Sequence, residues 1–308
     1  MDFTFQNSKL KIILLGIAVI LAAILIFVFI DNFNKEKLEV FFLDVGQGDS
    51  IFIQAPQGQN IIIDGGPDRK VVKELSRYLP WWDKTIDLMI LTHPHDDHVT
   101  GLIEIIKHYN VENIVYTGAA HNSPNFLSWL EIIKKENIPV KIPIAPESII
   151  LGNDCKMQFF YPFKNLYNQE NENLNNTSIV LKLIYKNTSF LFAGDIEEGV
   201  ENELIDNYCV SKNISEKDFY CIPQNNQFNL RADVFKANHH GSDTSNSEEF
   251  LRAVNPVRAV ISAGKENNFN HPSLRVINRF KDFAISFYRT DLKGTIRMES
   301  DGELIGIK

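Results

Sequence analysis

Six positions, His93 to His98, carry three histidines and two aspartates, and they follow directly on the apolar run Ile86 to Thr92. A nearly continuous apolar run of that length reads as a strand covered on both faces, so the chain is expected to build a layered α/β fold around it. Imidazoles and carboxylates at this density make a poor core, because each needs a partner once buried. Metal ions can be that partner. His93 and His95 lie two apart, so an extended turn points both at one ion, while Asp97 and His98 begin the next helix within reach of a second. Imidazole and carboxylate without a nearby Cys suit Zn, Mn or Fe and exclude a thiolate site. The competing reading, a solvated His/Asp loop, leaves the matching residues downstream unexplained.

Those residues close two further strands. Phe190-Leu191-Phe192-Ala193-Gly194-Asp195 is an apolar strand ending in a carboxylate, and Asp233 to Ala237 leads into Asn238-His239-His240-Gly241-Ser242. Gly-Asp alone is a common turn. After the histidine cluster, however, adjacent histidines can supply one metal ligand and one proton donor or anion contact, and Gly241 permits close backbone approach to a substrate. The sequence does not say which histidine does which.

With these motifs the chain resembles the metallo-β-lactamase superfamily, whose signature His-x-His-x-Asp-His is met by His93, His95, Asp97 and His98. The likeness runs from about Leu38 to the C-terminus. It implies an αββα sandwich whose hydrolase site holds two divalent ions, Zn or Mn. In such a site Asp195 would bridge the ions, with His93 and His95 on the first and Asp97, His98 and one of His239 or His240 on the second. Asp97, His239 and His240 are the candidate catalytic residues, the histidine left free of metal protonating the leaving group. Asp64, in Ile63-Asp64-Gly65-Gly66, is expected to orient the histidine loop. Val45-Gly46-Gln47-Gly48-Asp49, Asn175-Asn176-Thr177-Ser178, the His239-His240-Gly241-Ser242 run and Asn270-His271-Pro272-Ser273 narrow the resemblance to the hydrolase domain attached to ComEC, the DNA-uptake channel of competent bacteria. Asn175 and Asn176 stand where many superfamily members place another His, and Asn is a weaker ligand. Asp206 to Leu230 reads as a polar insertion. His108 is expected at the surface, as are His121 and His271, with a substrate contact the alternative for the last two.

Near the N-terminus, Ile12 to Ile30 is a run of 19 residues without a charge or a Pro. At about 1.5 Å per residue it spans roughly 28 Å, close to the bilayer core. It ends in Phe27, Val28, Phe29 and Ile30 rather than at a small-x-small cleavage site, so an uncleaved anchor is expected instead of a signal peptide. Lys9 and Lys11 sit closer to the run than Lys35 and Lys37, which favours a single-pass cell-membrane protein with its domain outside the cytoplasm. Residues 1–37 are thus expected to be anchor and linker and 38–308 the hydrolase domain. With one apolar run, the chain is not expected to form the uptake pore itself.

Composition bounds the rest. A content of 44% apolar and 23% charged residues over 308 positions suits a sizeable core. A net charge of -8 gives no general attraction to polyanions, so a nucleic-acid substrate would have to be held locally. Three cysteines make no disulfide framework; Cys209 and Cys221 could bridge, but the preferred reading is buried or free thiols. The expected activity is hydrolysis of a phosphodiester, with single-stranded DNA a possible substrate. Hydrolysis of a phosphocholine or lactone ester, or a degenerate metal-binding sensor, are the alternatives, and no protein partner is inferred.

Overall fold

A computed structural model describes residues 3–34, 37–213, 219–224 and 227–308. It forms the expected sandwich of two sheets with helices on both outer faces. In spatial order, one sheet holds Ile305–Ile307, Ile296–Ser300, Leu38–Phe42, Ile51–Gln54, Asn60–Ile63, Leu88–Leu91, Ile114–Tyr116 and Val140–Lys141. The other holds Ser286–Arg289, Arg258–Ile261, Val234–Lys236, Thr188–Phe192, Val180–Tyr185, Cys155–Tyr161 and Glu147–Ile150.

Strand alternation decides which layer each side chain enters. Along Leu88–Leu91, Leu88 and Ile90 join Phe42, Ile53, Phe159, Leu181 and Val234 in the core between the sheets. Met89 and Leu91 point the other way, onto Val99, Leu102 and Ile105 of helix Asp96–His108 and Phe126 and Trp129 of helix Pro124–Glu136. Covering both faces of this strand is what its unbroken apolar sequence required. Leu191 and Phe235 of the second sheet pack outward against Leu204, Phe250 and Phe280, one from each of helices Glu198–Tyr208, Glu248–Val254 and Leu274–Asp282.

The helix after the histidines begins at Asp96, so Asp97 and His98 lie in its first turn as expected. Asp96 and Asp97 in its first turn favour the positive end of the helix dipole. Gly65 and Gly101 let this helix press against the turn at Asp64: a Cβ on either would run into the other's backbone or that of Leu102. The Gly65 N–H donates to the His98 carbonyl at 2.7 Å and the Gly101 N–H to the Gly66 carbonyl at 2.9 Å.

One expectation changes. Part of the segment read as a polar insertion forms a hairpin of Cys209–Asn213 and Phe219–Pro223, with 214–218 and 225–226 outside the described residues. Its register sets Cys209 opposite Pro223 and Ser211 opposite Cys221, which leaves the two cysteines diagonal neighbours with Cα atoms 4.9 Å apart. They form a disulfide, not the thiols expected, and Cys155 is the free buried cysteine. At the N-terminus a helix spans Phe3–Asn34, and its side chains from Leu10 to Ile26 are all exposed. Among the described residues no helix is long and apolar enough to cross a membrane. The side chains of 27–30, and Lys35, lie outside the described residues.

Candidate metal centre

Parallel strands release their loops at one end of a sheet, and the predicted site residues gather there. Asp64 follows Asn60–Ile63, His93 follows Leu88–Leu91, Asp195 follows Thr188–Phe192 and the histidine pair follows Val234–Lys236. Asp64 is left-handed (φ 58°), which turns its carboxylate under the histidine loop. There it accepts the Thr92 backbone N–H at 2.8 Å and the Thr92 hydroxyl at 2.7 Å, and it meets His98 Nδ1 at 2.9 Å.

Asp195 stands at the middle of the cluster. Its Oδ2 is 3.2 Å from His98 Nε2, 3.2 Å from His240 Nε2 and 3.9 Å from His93 Nε2. His240 Nε2 also lies 3.4 Å from Asp97 Oδ2, and His95 Nδ1 lies 3.0 Å from His93 Nε2. Among the described residues, His93, His98 and Asp195 make one group able to hold an ion, and Asp97, His98 and His240 another. Two more bring in Asp49, with Asp64 and His98 or with Asp195 and His240. His95 and His239 belong to none of these groups.

The adjacent histidines part company because both are left-handed, at φ 49° and 53°, a strained conformation for non-glycine residues that sites often retain. His240 is buried with its Nδ1 3.0 Å from the Ser262 carbonyl, so a proton held there leaves the Nε2 lone pair facing Asp195. His239 turns toward the opening. Its Nδ1 is 3.7 Å from Glu197 and 3.4 Å from the Thr244 hydroxyl, its Nε2 is 3.5 Å from Asn175 Nδ2, and its ring centre is 5.4 Å from that of His271. Asn175 thus sits beside His239. His121 stacks edge-on near His95, at 6.2 Å between ring centres. His108 is exposed at the end of its helix, as expected.

Burial pushes the pKa of His98 and His240 down, but the carboxylates around them, Asp195 foremost, outweigh it and hold both well above the usual histidine range. His93, where burial dominates and His98 adds to it, lies well below that range. Burial would raise Asp195, yet His240, His98 and Lys236 hold it well below the carboxylate range. A field that so favours imidazolium also favours a cation in its place.

Two residues of the cluster were not singled out from sequence as site residues. Asp49, at the end of Gly46-Gln47-Gly48-Asp49, is buried against His240 and forms an ion pair with Lys236, itself buried and 3.5 Å from Asp195 Oδ1. The signal for Lys236 was available: a lone lysine inside the apolar strand Val234-Phe235-Lys236-Ala237 needs polar partners once buried, and a carboxylate is the strongest of them. Asp195 Oδ1 and His240 Nε2 are buried with no hydrogen-bond partner. An unsatisfied buried polar atom costs about 1–3 kcal/mol, and a divalent ion with nitrogen and oxygen donors would remove that cost from both.

Comparison with known proteins agrees with this fold. The family model of the metallo-beta-lactamase superfamily matches residues 43–265. ComE operon protein 3 of Bacillus subtilis is 28% identical over 281 residues, which cover 84% of this chain and 32% of that protein. Competence protein ComA of Neisseria gonorrhoeae is 25% identical over 272 residues, 85% of this chain and 32% of that protein. The chain therefore spans about a third of the length of these relatives. Among solved structures, a metallo hydrolase of Ignicoccus hospitalis shares the fold at a TM-score of 0.50 and 11% identity, covering 85% of this chain and 98% of that one.

Proposed function

Because the chain belongs to the metallo-β-lactamase superfamily, we propose that it is a membrane-anchored hydrolase that uses two divalent ions, Zn or Mn, to cleave phosphodiester bonds, DNA among them. One observation carries the two-ion reading: the Asp195 carboxylate faces His93 on one side and His98 and His240, with Asp97 beside them, on the other, so it could be shared by two ions. Bound ions would supply an activated water and stabilise the charge of the phosphoryl oxygens.

The chain's own residues do the remaining work. Asp64 and the Ser262 carbonyl fix the rings of His98 and His240, so their Nε2 atoms are presented without further ordering. His95, beside His93 and half-buried, would complete the donors of the first ion. His239 is the more accessible of the pair, with 21% of its side chain exposed against 2% for His240, and it is the residue we assign to the proton on the leaving oxygen. The names of the two relatives and the likeness to a DNA-uptake hydrolase make single-stranded DNA the first polymer to test.

The anchor reading is supported by apolar side chains exposed from Leu10 to Ile26, and the placement of the domain outside the cytoplasm by the Cys209–Cys221 disulfide. The test is metal analysis of the detergent-purified full chain, followed by turnover of bis-nitrophenyl phosphate, single-stranded DNA and RNA. Bound metal with turnover of at least one phosphodiester is expected. A chain that holds no metal when supplied with it defeats the reading, as does a metal-loaded chain inert on all three.

A further inference from the structure

Trp81 and Trp82 are 80% and 65% exposed, edge to face with ring centres 5.6 Å apart, whereas Trp129, the third tryptophan, is fully buried. Two neighbouring indoles left in water are unusual for a folded domain. Their loop is fixed, not loose: the Asp83 N–H donates to the Pro80 carbonyl at 2.9 Å, and the Asp83 carboxylate accepts Asn60 Nδ2 at 2.9 Å. That tie locates the pair. Asn60 is in register with Gln54, and Gln54 with Glu39, one residue beyond Leu38, where the chain enters the sandwich after the N-terminal helix. Two strand spacings, about 10 Å, separate Asn60 from that entry point.

The same end of the sandwich carries another exposed apolar side chain. Ser300 pairs with Leu38, so the turn that follows it, with Leu304 74% exposed, lies beside the entry point. The metal residues lie at the opposite end. Asp64 is four residues beyond Asn60 along one strand, a rise of about 13 Å, and His93 lies beyond the parallel neighbour that begins at Leu88.

We propose that Trp81 and Trp82 rest in the interfacial layer of the bilayer that carries the N-terminal helix, standing the domain on the membrane with its metal centre turned away. The proposal rests on the anchor reading. Indole suits that layer because its ring is apolar and its N–H stays hydrated. The occupant is lipid and not a second copy of the chain, since three side chains of this size offer on the order of 500 Å², short of the roughly 800 Å² per partner of a stable interface. A tether alone would leave the domain free to tumble. The tryptophan contact fixes its orientation, so substrate reaches the centre from the aqueous side.

The three tryptophans make the test direct. The full chain is reconstituted into phosphatidylcholine vesicles with or without bromine on the acyl chains near the headgroup, and flotation and tryptophan emission are measured. The expected result is flotation with loss of the emission owed to Trp81 and Trp82, leaving that of Trp129. In the Trp81→Ala/Trp82→Ala variant, bromine should remove nothing, and the retained Trp129 emission reports that the domain is folded. Flotation without bromine-dependent loss overturns the proposal and spares the anchor. Emission shielded from both bromine and aqueous iodide also overturns it, in favour of a protein contact. If the chain does not float, the anchor and the proposal fail together.

Discussion

Lys236 and Asp49 form a fully buried ion pair beneath the cluster, and the same ammonium lies 3.5 Å from Asp195 Oδ1. Burial lowers the pKa of Lys236, but Asp49 and Asp195 outweigh it and keep the group charged. Its positive charge offsets carboxylates that would otherwise repel one another across the site. Removing one partner of such a pair strands the other charge, at about 3–5 kcal/mol. Lys236→Met should therefore destabilise the detergent-solubilised chain by that amount in urea, and Lys236→Met/Asp49→Asn by less than the sum of the single changes. Additive losses would show that the two residues act independently.

Asp195→Ala deletes the carboxylate that faces His93, His98 and His240 together. Metal content and phosphodiester turnover should both fall, and by more than the roughly 10 to 100-fold typical of residues that merely support ligands. Elemental analysis alongside the rate assay reads both; an Asp195→Ala chain with normal metal and rate has no bridging carboxylate at this position.

The histidine pair should split by phenotype. His240→Ala removes a buried donor and should deplete metal and activity in parallel. His239→Ala leaves the donor groups intact, so metal should stay bound while kcat drops by about 10² to 10⁴, the usual contribution of a general acid. The loss should shrink on substrates whose leaving group needs no proton, such as nitrophenolate. Equal metal loss in both variants would refute the division of labour.

Under denaturing conditions without reductant, one thiol per chain, Cys155, should react with a maleimide, and three after reduction. Reduction should also cost stability, on the order of 2–4 kcal/mol for a loop of this size. Three reactive thiols in the unreduced, membrane-extracted chain would remove the disulfide and with it the support for an oxidising compartment.

Lys182 offers a stability measurement away from the histidine cluster. Its ammonium is buried among the carbonyls of Asn229 and Arg231, and burial brings its pKa down to about 8. In the unfolded chain it returns to about 10.4. Between those values the unfolded state binds the extra proton, so this group makes stability rise with pH from about 8 to about 10.4. The gain is absent below that window. Lys182→Met should flatten this rise in the thermal unfolding midpoint, and an unchanged pH profile would mean that Lys182 titrates normally.

Much of the fold was legible because apolar patterning is a local property. The run Ile86 to Leu91 required cover on both faces and received it. The candidate donors His93, His95, Asp97 and His98 stand out because they cluster directly after an apolar strand, whereas Asp195 was singled out through the resemblance. Other relations depend on which chain segments the sandwich brings together. His239 and His240 are chemically identical in sequence, and the left-handed backbone at both separates one to Asp195 and the other to the opening. Asp49 and Lys236 are 187 positions apart (236 − 49) and became partners when the strand carrying Lys236 was packed beneath the loop carrying Asp49. Cys209 met Cys221 through a hairpin register that no hydrophobic pattern announced. Trp81 and Trp82 reach the end where the N-terminal helix enters only through the order of the strands in the sheet. Sequence determines what each segment must bury, while contacts between distant segments are fixed only when the two sheets close on a shared core.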